Sequence, residues 1–570
     1  MHMQPGDSRL RLAWYALATL LAVFTYFYGL DSQYIPRNGD EDPYAHITRL
    51  TADSGHLLPL QSQLDNMRNT KPPLLFWQGI ASTHWGQDWT LWNLRYPSVI
   101  YTLLTAWLTF LLSWRLSRQL ETGFIALLTY LAFFSTYRYG RPFLVNPAEV
   151  FWFFLPFFTL LYWKHFAFES RFMVPLLLGV EIGIGLLYKS FALIVPVGLC
   201  LVWWYLHYRE YRWLYCLRKD ALKVAITLMA ALALFGLWFL LDPDPQAVWS
   251  EFIVGENAGK FDAHGNYLLK FLWGGSSVWA LVIGYPLNAG LLAVPVAAVF
   301  LIAWRRRVLL IDAEKMLWIW MAALFIVFSL PSQRSARYLL EAMPGLAVLC
   351  ALNWHRLSHK IFVVSLLMMG GVLALFAFLS MHLQQEMAGA ELYGLAYWML
   401  LVLGAVLILI ALFVPKFTPA IVNVAALLVL LCFAVFLRPF DGAFGSYSAE
   451  VQQYAKGKDV WVPCNFRAKE EGYRFILPGA QVHGYHEDMA LSAAELAAKY
   501  SLFALQVPLQ DKGCADCRIL GQRLDIRSRQ SENELKQMLK GEVFQHLFVK
   551  ELLIEAPGVN STVVAAEGCR

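Results

Sequence analysis

The chain has 570 residues, of which 58% are hydrophobic and 15% charged, and its formal net charge is +5. Soluble domains carry about 25% charged residues, so this composition excludes one and requires an integral membrane protein. There is no basic tail and no stacking module, which excludes nucleic acid as a partner.

In chain order, Arg9 and Arg11 precede an apolar run that continues to Leu30 without a small-residue cleavage site. It reads as a retained spanning helix and not a signal peptide. Further apolar runs predict spans near 98–114, 121–137, 146–163, 172–188, 190–206, 222–241, 277–303, 316–330, 338–354, 361–380, 392–414 and 418–437. Most approach the length that a bilayer demands, and the total is about thirteen helices. With the N-terminus inside, the inner loops are short and basic, as in Arg115 and Arg118, Arg305 to Arg307, and Lys416. That is the positive-inside pattern, and an odd number of spans leaves the C-terminal part outside.

Two outer loops are long, residues 31–97 and 242–276. The first opens on Asp40, Glu41 and Asp42 and reaches Lys71 before Pro72 and Pro73. Charge beside a bilayer is costly and marks a candidate site. Asp42-Pro43 predicts a helix start with Asp42 as cap, and Gly55 predicts its stop. A second helix is expected after Lys71-Pro72-Pro73, and both suit the membrane surface.

Outer-side cations are few: Lys71, Arg138, Arg141, Lys189, Lys260, Lys270, Arg334 and Arg337. Several together can hold a phosphate through charge-assisted hydrogen bonds; singly, each can snorkel to headgroups. Asn146 before Pro147 reads as a helix cap with Glu149 in the first turn. Glu256 and Lys260 stand at i, i+4 spacing, where they can simply pair. His46, His56, His84 and His264 are all outside, without the spacing of a helical metal pair.

From about residue 438 the composition turns soluble. Short strands are expected in DVWVPCNF, AQVHGY, YSLFALQV and STVVAA. Helices are expected over Leu491–Tyr500 and in SENELKQMLKGE, the latter capped by Ser531. The expected organisation is a transmembrane domain over 1–437 and a C-terminal α/β domain over 438–570. Cys464, Cys514, Cys517 and Cys569 all fall in the second part. Outside the cytoplasm they favour disulfides, with a zinc site as the competing reading.

These residues carry a resemblance. Asp40-Glu41-x-x-Tyr44-Ala45, then Lys71-Pro72, resembles the first outer loop of the lipid A aminoarabinose transferases. The similarity continues at Tyr188-Lys189, at Glu256-Asn257-Ala258-Gly259-Lys260-Phe261, and at Ser335-Ala336-Arg337-Tyr338. Those enzymes belong to the GT-C superfamily, with the protein O-mannosyltransferases. The resemblance implies an all-α polytopic membrane protein of GT-C type with a C-terminal α/β domain. It implies Asp40, beside Glu41, as the catalytic acid pair. It implies carrier-phosphate binding by Lys71, Arg337 and Tyr338, with Lys189 and Lys260 as further cations. Tyr44, Asn146, Glu149, Glu256 and Asn257 are the candidate sugar and acceptor contacts. Two family metal-ligand positions are Thr70 and Asn257 here, so no cofactor is required by the sequence and a divalent metal stays open.

The implied activity is inverting transfer of a sugar from a polyprenyl (undecaprenyl) phosphate to lipid A or lipopolysaccharide. The implied place is the periplasmic face of the cell inner membrane, and a monomer is expected. A protein Ser or Thr acceptor is the second reading. A lipid-linked sugar transporter or flippase is the rival of another class; such proteins show repeats and midplane acids, whereas here the unusual charges gather at one outer face.

Overall fold

A computed structural model describes residues 5–35, 39–64, 67–257, 267–273, 276–386, 391–442, 444–486, 491–509, 511, 513, 517–526, 532–538 and 543–556. Each expected apolar run is helical. The first helix, α1, is Pro5–Phe27. After it come α2 (Glu41–Asp53) and α3 (Leu74–Ser82) in the first long loop. Then follow α4 (Leu91–Ser117), α5 (Leu120–Ala132), α6 (Phe134–Gly140), α7 (Asn146–Tyr162), α8 (Lys164–Glu169) and α9 (Met173–Tyr188). Among the described residues, eight helices are long and apolar enough to cross a membrane, or nine if α5 and α6, bent by 63°, form one span. This is a multi-pass membrane protein, but the expected thirteen exceeds the helices that meet that test.

Length and charge account for the shortfall. Helix α9 has only 16 residues, and Asp312–Ser329 opens with Asp312, Glu314 and Lys315. The late helix Thr418–Leu437 lies inside the bundle, with 83% of its apolar window buried. It packs on α1, α5 and the helices His359–Glu386 and Leu395–Phe413. Helix α9 packs on Ala221–Leu241 through Gly179 and Gly183. A methyl group on Gly179 would sit 2.6 Å from the Thr227 carbonyl oxygen, so only glycine permits this approach.

The C-terminal part holds a five-stranded sheet of order β2-β1-β3-β5-β4. The strands are β1 (Asp459–Cys464), β2 (Gln481–His486), β3 (Leu502–Val507), β4 (Arg518–Ile526) and β5 (Phe548–Glu555). β1 is parallel to β2 and β3, while β5 runs antiparallel to β3 and β4. The first three match expected strands; β4 and β5 were not expected, and the segment STVVAA lies outside the described residues. The expected helix over Leu491–Tyr500 is Ala493–Lys499, closed by a Ser492–Glu495 capping box. In SENELKQMLKGE the helix is Glu532–Met538, and Ser531 lies outside the described residues. Cys464 and Cys517 are disulfide-bonded, whereas Cys200, Cys216, Cys350 and Cys432 are buried free thiols. Cys514 and Cys569 lie outside the described residues.

Candidate active site

The first long loop builds one side of the site. Helix α2 starts at Glu41, with Asp40 in the cap position but without a side-chain capping bond. This corrects the expectation that Asp42 caps it: Asp42 lies inside the first turn, and Gly55, with φ of 72°, follows the end as expected. Freed from capping, the Asp40 carboxylate accepts from Arg337 Nη1 at 2.5 Å. Its side chain remains 42% exposed, so it can meet a ligand.

Glu41 points the other way. It is buried and accepts from Arg95 Nε and Nη2, both at 2.6 Å. The Phe143 N–H donates to the same carboxylate at 2.8 Å. Arg95 also donates to the carbonyls of Leu30 (3.0 Å) and Ser32. The adjacent acids therefore have different environments: Glu41 anchors the loop, and Asp40 faces Arg337. Beneath α2 and α3, Tyr44, Phe76, Leu94, Phe143 and Tyr188 form an apolar platform. Tyr44 meets Phe76 edge-on at 6.2 Å.

The other side comes from later helix ends. Arg337 lies in the 3-10 segment Ala336–Ala342, whose first turn is capped by Ser335. Its Nε and Nη2 donate to Asn146 Oδ1 at 3.2 and 2.7 Å. Its guanidinium lies 5.0 Å from the Tyr139 ring centroid. Asn146 does not cap α7 as expected; its amide instead donates to Glu149 Oε2 at 3.0 Å. Glu149 in turn accepts from Lys189 Nζ at 2.7 Å, and Lys189 also donates to Glu341 at 3.3 Å. A continuous polar chain thus runs from Asp40 through Arg337, Asn146 and Glu149 to Lys189 and Glu341.

Lys189, expected to join the phosphate-binding cations, is engaged by two buried carboxylates. Lys71 lies just before α3, which begins after Pro73, and donates locally to the Thr70 carbonyl at 2.8 Å. Tyr338 packs against Phe328, with ring centroids 5.4 Å apart. Arg334 is held by the carbonyls of Ser329 and Ser276 and by Tyr267 Oη, and Arg141 by the carbonyls of Tyr26 and Tyr28. Glu256 and Asn257 end the π-helical segment Val248–Asn257, but their side chains and all of Lys260 lie outside the described residues. Among the described residues, no three His, Cys, Asp or Glu side chains gather as for a metal.

Arg95, Tyr139 and Glu341 were not foreseen. For Glu341 a signal existed: it is an acid four residues after Arg337, at the head of an apolar run.

The sheet domain also holds the first long loop. Glu471 accepts from Arg49 Nε and Nη2 at 3.1 and 2.5 Å and lies 2.9 Å from His46 Nδ1. Asp31 pairs with Arg438, the Gln33 N–H donates to Asp441, and Tyr34 Oη donates to Asp525. Burial works to raise the Glu471 carboxyl, but His46, Arg49 and Arg474 outweigh it and hold it far below the usual range. A depressed carboxyl stabilises the fold above its unfolded value, about 4.3, and that contribution fades as pH falls further. Acidification below about pH 4 is expected to loosen this contact, read as faster limited proteolysis at 31–60; Glu471→Gln should remove that pH dependence.

A family model described as "Dolichyl-phosphate-mannose-protein mannosyltransferase" matches residues 14–249. The chain is 28% identical over 361 residues to undecaprenyl phosphate-alpha-4-amino-4-deoxy-L-arabinose arabinosyl transferase 1 of Sodalis glossinidius (strain morsitans), covering 61% of this chain and 60% of the relative. It is 29% identical over 368 residues to transferase 2 of Pseudomonas fluorescens (strain Pf0-1), with the same two coverages. The chain thus spans 60% of the length of these relatives. Among solved structures, it resembles ArnT from Cupriavidus metallidurans bound to undecaprenyl phosphate, at 16% identity and a TM-score of 0.58. That match covers 95% of this chain and 98% of the other. The helical bundle and the sheet domain match over nearly their whole length, so this chain shares the fold of that structure.

Proposed function

We propose that this chain is a glycosyltransferase that moves a sugar from a polyprenyl (undecaprenyl) phosphate to lipid A or another lipopolysaccharide sugar. The observation that carries the reading is the half-exposed Asp40 carboxylate set against Arg337, which Asn146 orients from the opposite side. An acid beside a fixed cation at the membrane surface suits displacement of a phosphate from an anomeric carbon. Asp40 takes the proton of the acceptor hydroxyl as its oxygen bonds to that carbon. The carbon–oxygen bond to the carrier phosphate breaks, and its electron pair leaves with the phosphate. Arg337 and Lys71 stabilise the growing charge, helped by the N-terminus of α3. One displacement inverts the anomeric centre. Glu41 acts as the anchor that sets Asp40, and Glu149, Lys189 and Glu341 as the chain that sets Asn146 and Arg337.

The named relatives, which are arabinosyl transferases, support this reading. We place the site and the 438–570 domain on the periplasmic face of the inner membrane. The basic inner loops support that side, as do the disulfide-bonded Cys464 and Cys517. A protein hydroxyl is the second acceptor reading, favoured by the protein mannosyltransferase model. Mass spectrometry of lipid A and of surface proteins from a deletion strain tests both. A sugar mass missing from lipid A is expected; its loss from a protein moves the acceptor, and no change on either overturns the proposal.

A further inference from the structure

The end of the bundle away from the candidate site is built from short polar elements. Helix α7 starts at the site with Asn146 and runs 17 residues, about 25 Å at the helical rise, so α8 and the turn into α9 lie at the far end. The helix Ile194–Tyr208 returns to that end, and a short helix, Trp213–Lys219, then leads into Ala221–Leu241. One network ties these pieces together. Arg209 donates to Asp220 at 2.7 and 3.0 Å and to Glu169 at 2.7 and 3.3 Å. Lys223 pairs with Asp220 at 2.8 Å and donates to the Phe168 carbonyl. Two further acids of this end are taken as well, Asp312 by Lys164 and Glu210 by Arg212.

Three exposed cations, Arg171, Arg218 and Lys219, stand beside this network, whose carboxylates are already matched. The register of the two long helices sets them at one level. Thr227 Oγ1 donates to the Pro175 carbonyl at 2.9 Å, and Lys223 reaches Phe168. Arg171, between Phe168 and Pro175, therefore stands level with the start of Ala221–Leu241, where Arg218 and Lys219 end the short helix. Apolar side chains adjoin these charges: Met173 is 75% exposed and Leu222 69%. The same helix faces continue exposed and apolar through Leu177 and Met229. Cations set at the head of a bare apolar seam match a phosphate headgroup with acyl chains. A soluble anion would leave the apolar part uncovered.

We propose that this seam binds an anionic phospholipid of the leaflet opposite the candidate site. Arg171, Arg218 and Lys219 hold its phosphate, and its acyl chains lie along the exposed faces of α9 and Ala221–Leu241. A soluble protein partner does not fit, because the exposed face continues along Ala221–Leu241, a helix long and apolar enough to cross the membrane. The lipid braces the base of α9, whose other end leads into Lys189. Its contribution is to stability, and the inference is independent of the transferase reading.

The test uses the full chain, purified in a neutral detergent and offered phosphatidylglycerol and phosphatidylcholine with identical acyl chains. Native mass spectrometry with equal amounts of the two should show phosphatidylglycerol retained about tenfold or more over phosphatidylcholine, since each cation near the surface adds to the attraction. Tm should also be higher in phosphatidylglycerol. In Arg171→Gln/Arg218→Gln/Lys219→Gln the preference and the Tm difference should vanish. Tm in phosphatidylcholine should stay at the wild-type value, because all three side chains are exposed. Arg115→Gln/Arg118→Gln removes two cations that close α4 at the same end of the bundle, and it should keep both effects. Equal retention of the two lipids by wild type overturns the inference. An equal loss in the two variants overturns it as well, since the attraction is then a diffuse property of that end. Equal stabilisation by soluble glycerophosphoglycerol, which lacks acyl chains, overturns it too.

Discussion

Asp40→Asn is expected to lower the transfer rate by about 10²–10⁴-fold, the usual loss when a general base is removed. The change is nearly isosteric, and the amide oxygen can still accept from Arg337, which now meets Asp40 at 2.5 Å. What disappears is the ability to take a proton. Because Asp40 is 42% exposed, the fold should tolerate the change, within about 0.5 kcal/mol. Donor binding should also persist, since Arg337 and Lys71, the cations proposed to hold the phosphate, are untouched. Single-turnover transfer and equilibrium binding of the carrier lipid separate the two effects. Full activity in this variant would remove Asp40 from the chemistry.

One residue further on, the expected result reverses. Arg95→Ala should cost about 3–5 kcal/mol of stability, because it strands a buried carboxylate. Glu41 and Arg95 are both buried, and Arg95 satisfies two oxygens of Glu41 and two backbone carbonyls at once. The loss should appear as a lower unfolding temperature in detergent and as poor recovery of monodisperse protein. Replacing both residues by apolar side chains of similar volume should restore much of the stability. It should not restore activity, since the start of α2 would no longer be pinned to Leu30, Ser32 and Phe143. Stability and catalysis would then separate at neighbouring positions.

Much of the architecture was legible because lipid imposes a strong pattern. The apolar runs marked every bundle helix, and Gly55 and Pro72-Pro73 marked α2 and α3. What stayed hidden depended on partners far along the chain. Nothing near Glu41 distinguishes it from Asp40; the difference is Arg95, 54 positions away. Lys189 resembled the other outer cations until Glu149 and Glu341 closed around it. Asn146 reads as a cap from the sequence and Asp40 stands at the cap position of α2 in the structure, yet both side chains engage Arg337. Strand β5 escaped notice because Lys550 and Glu551 interrupt its apolar pattern. In the folded domain Glu551 is absorbed by Arg523, Tyr447 and Tyr473, so a charge that argues against a strand becomes its core.

The clamp on the first outer loop has a consequence for biosynthesis. Asp31, Gln33, Tyr34 and His46 are among the first residues made after α1. Their partners Arg438, Asp441, Asp525 and Glu471 are among the last. The anchor of Glu41 on Arg95 can form early, but the clamp from the sheet domain must wait through insertion of nearly the entire bundle. Contacts of such long sequence separation form late. A chain that stops before residue 438 would keep Asp40, Asn146 and Arg337 but lack this clamp, and truncations at that point should integrate normally while leaving the first long loop more open to limited proteolysis.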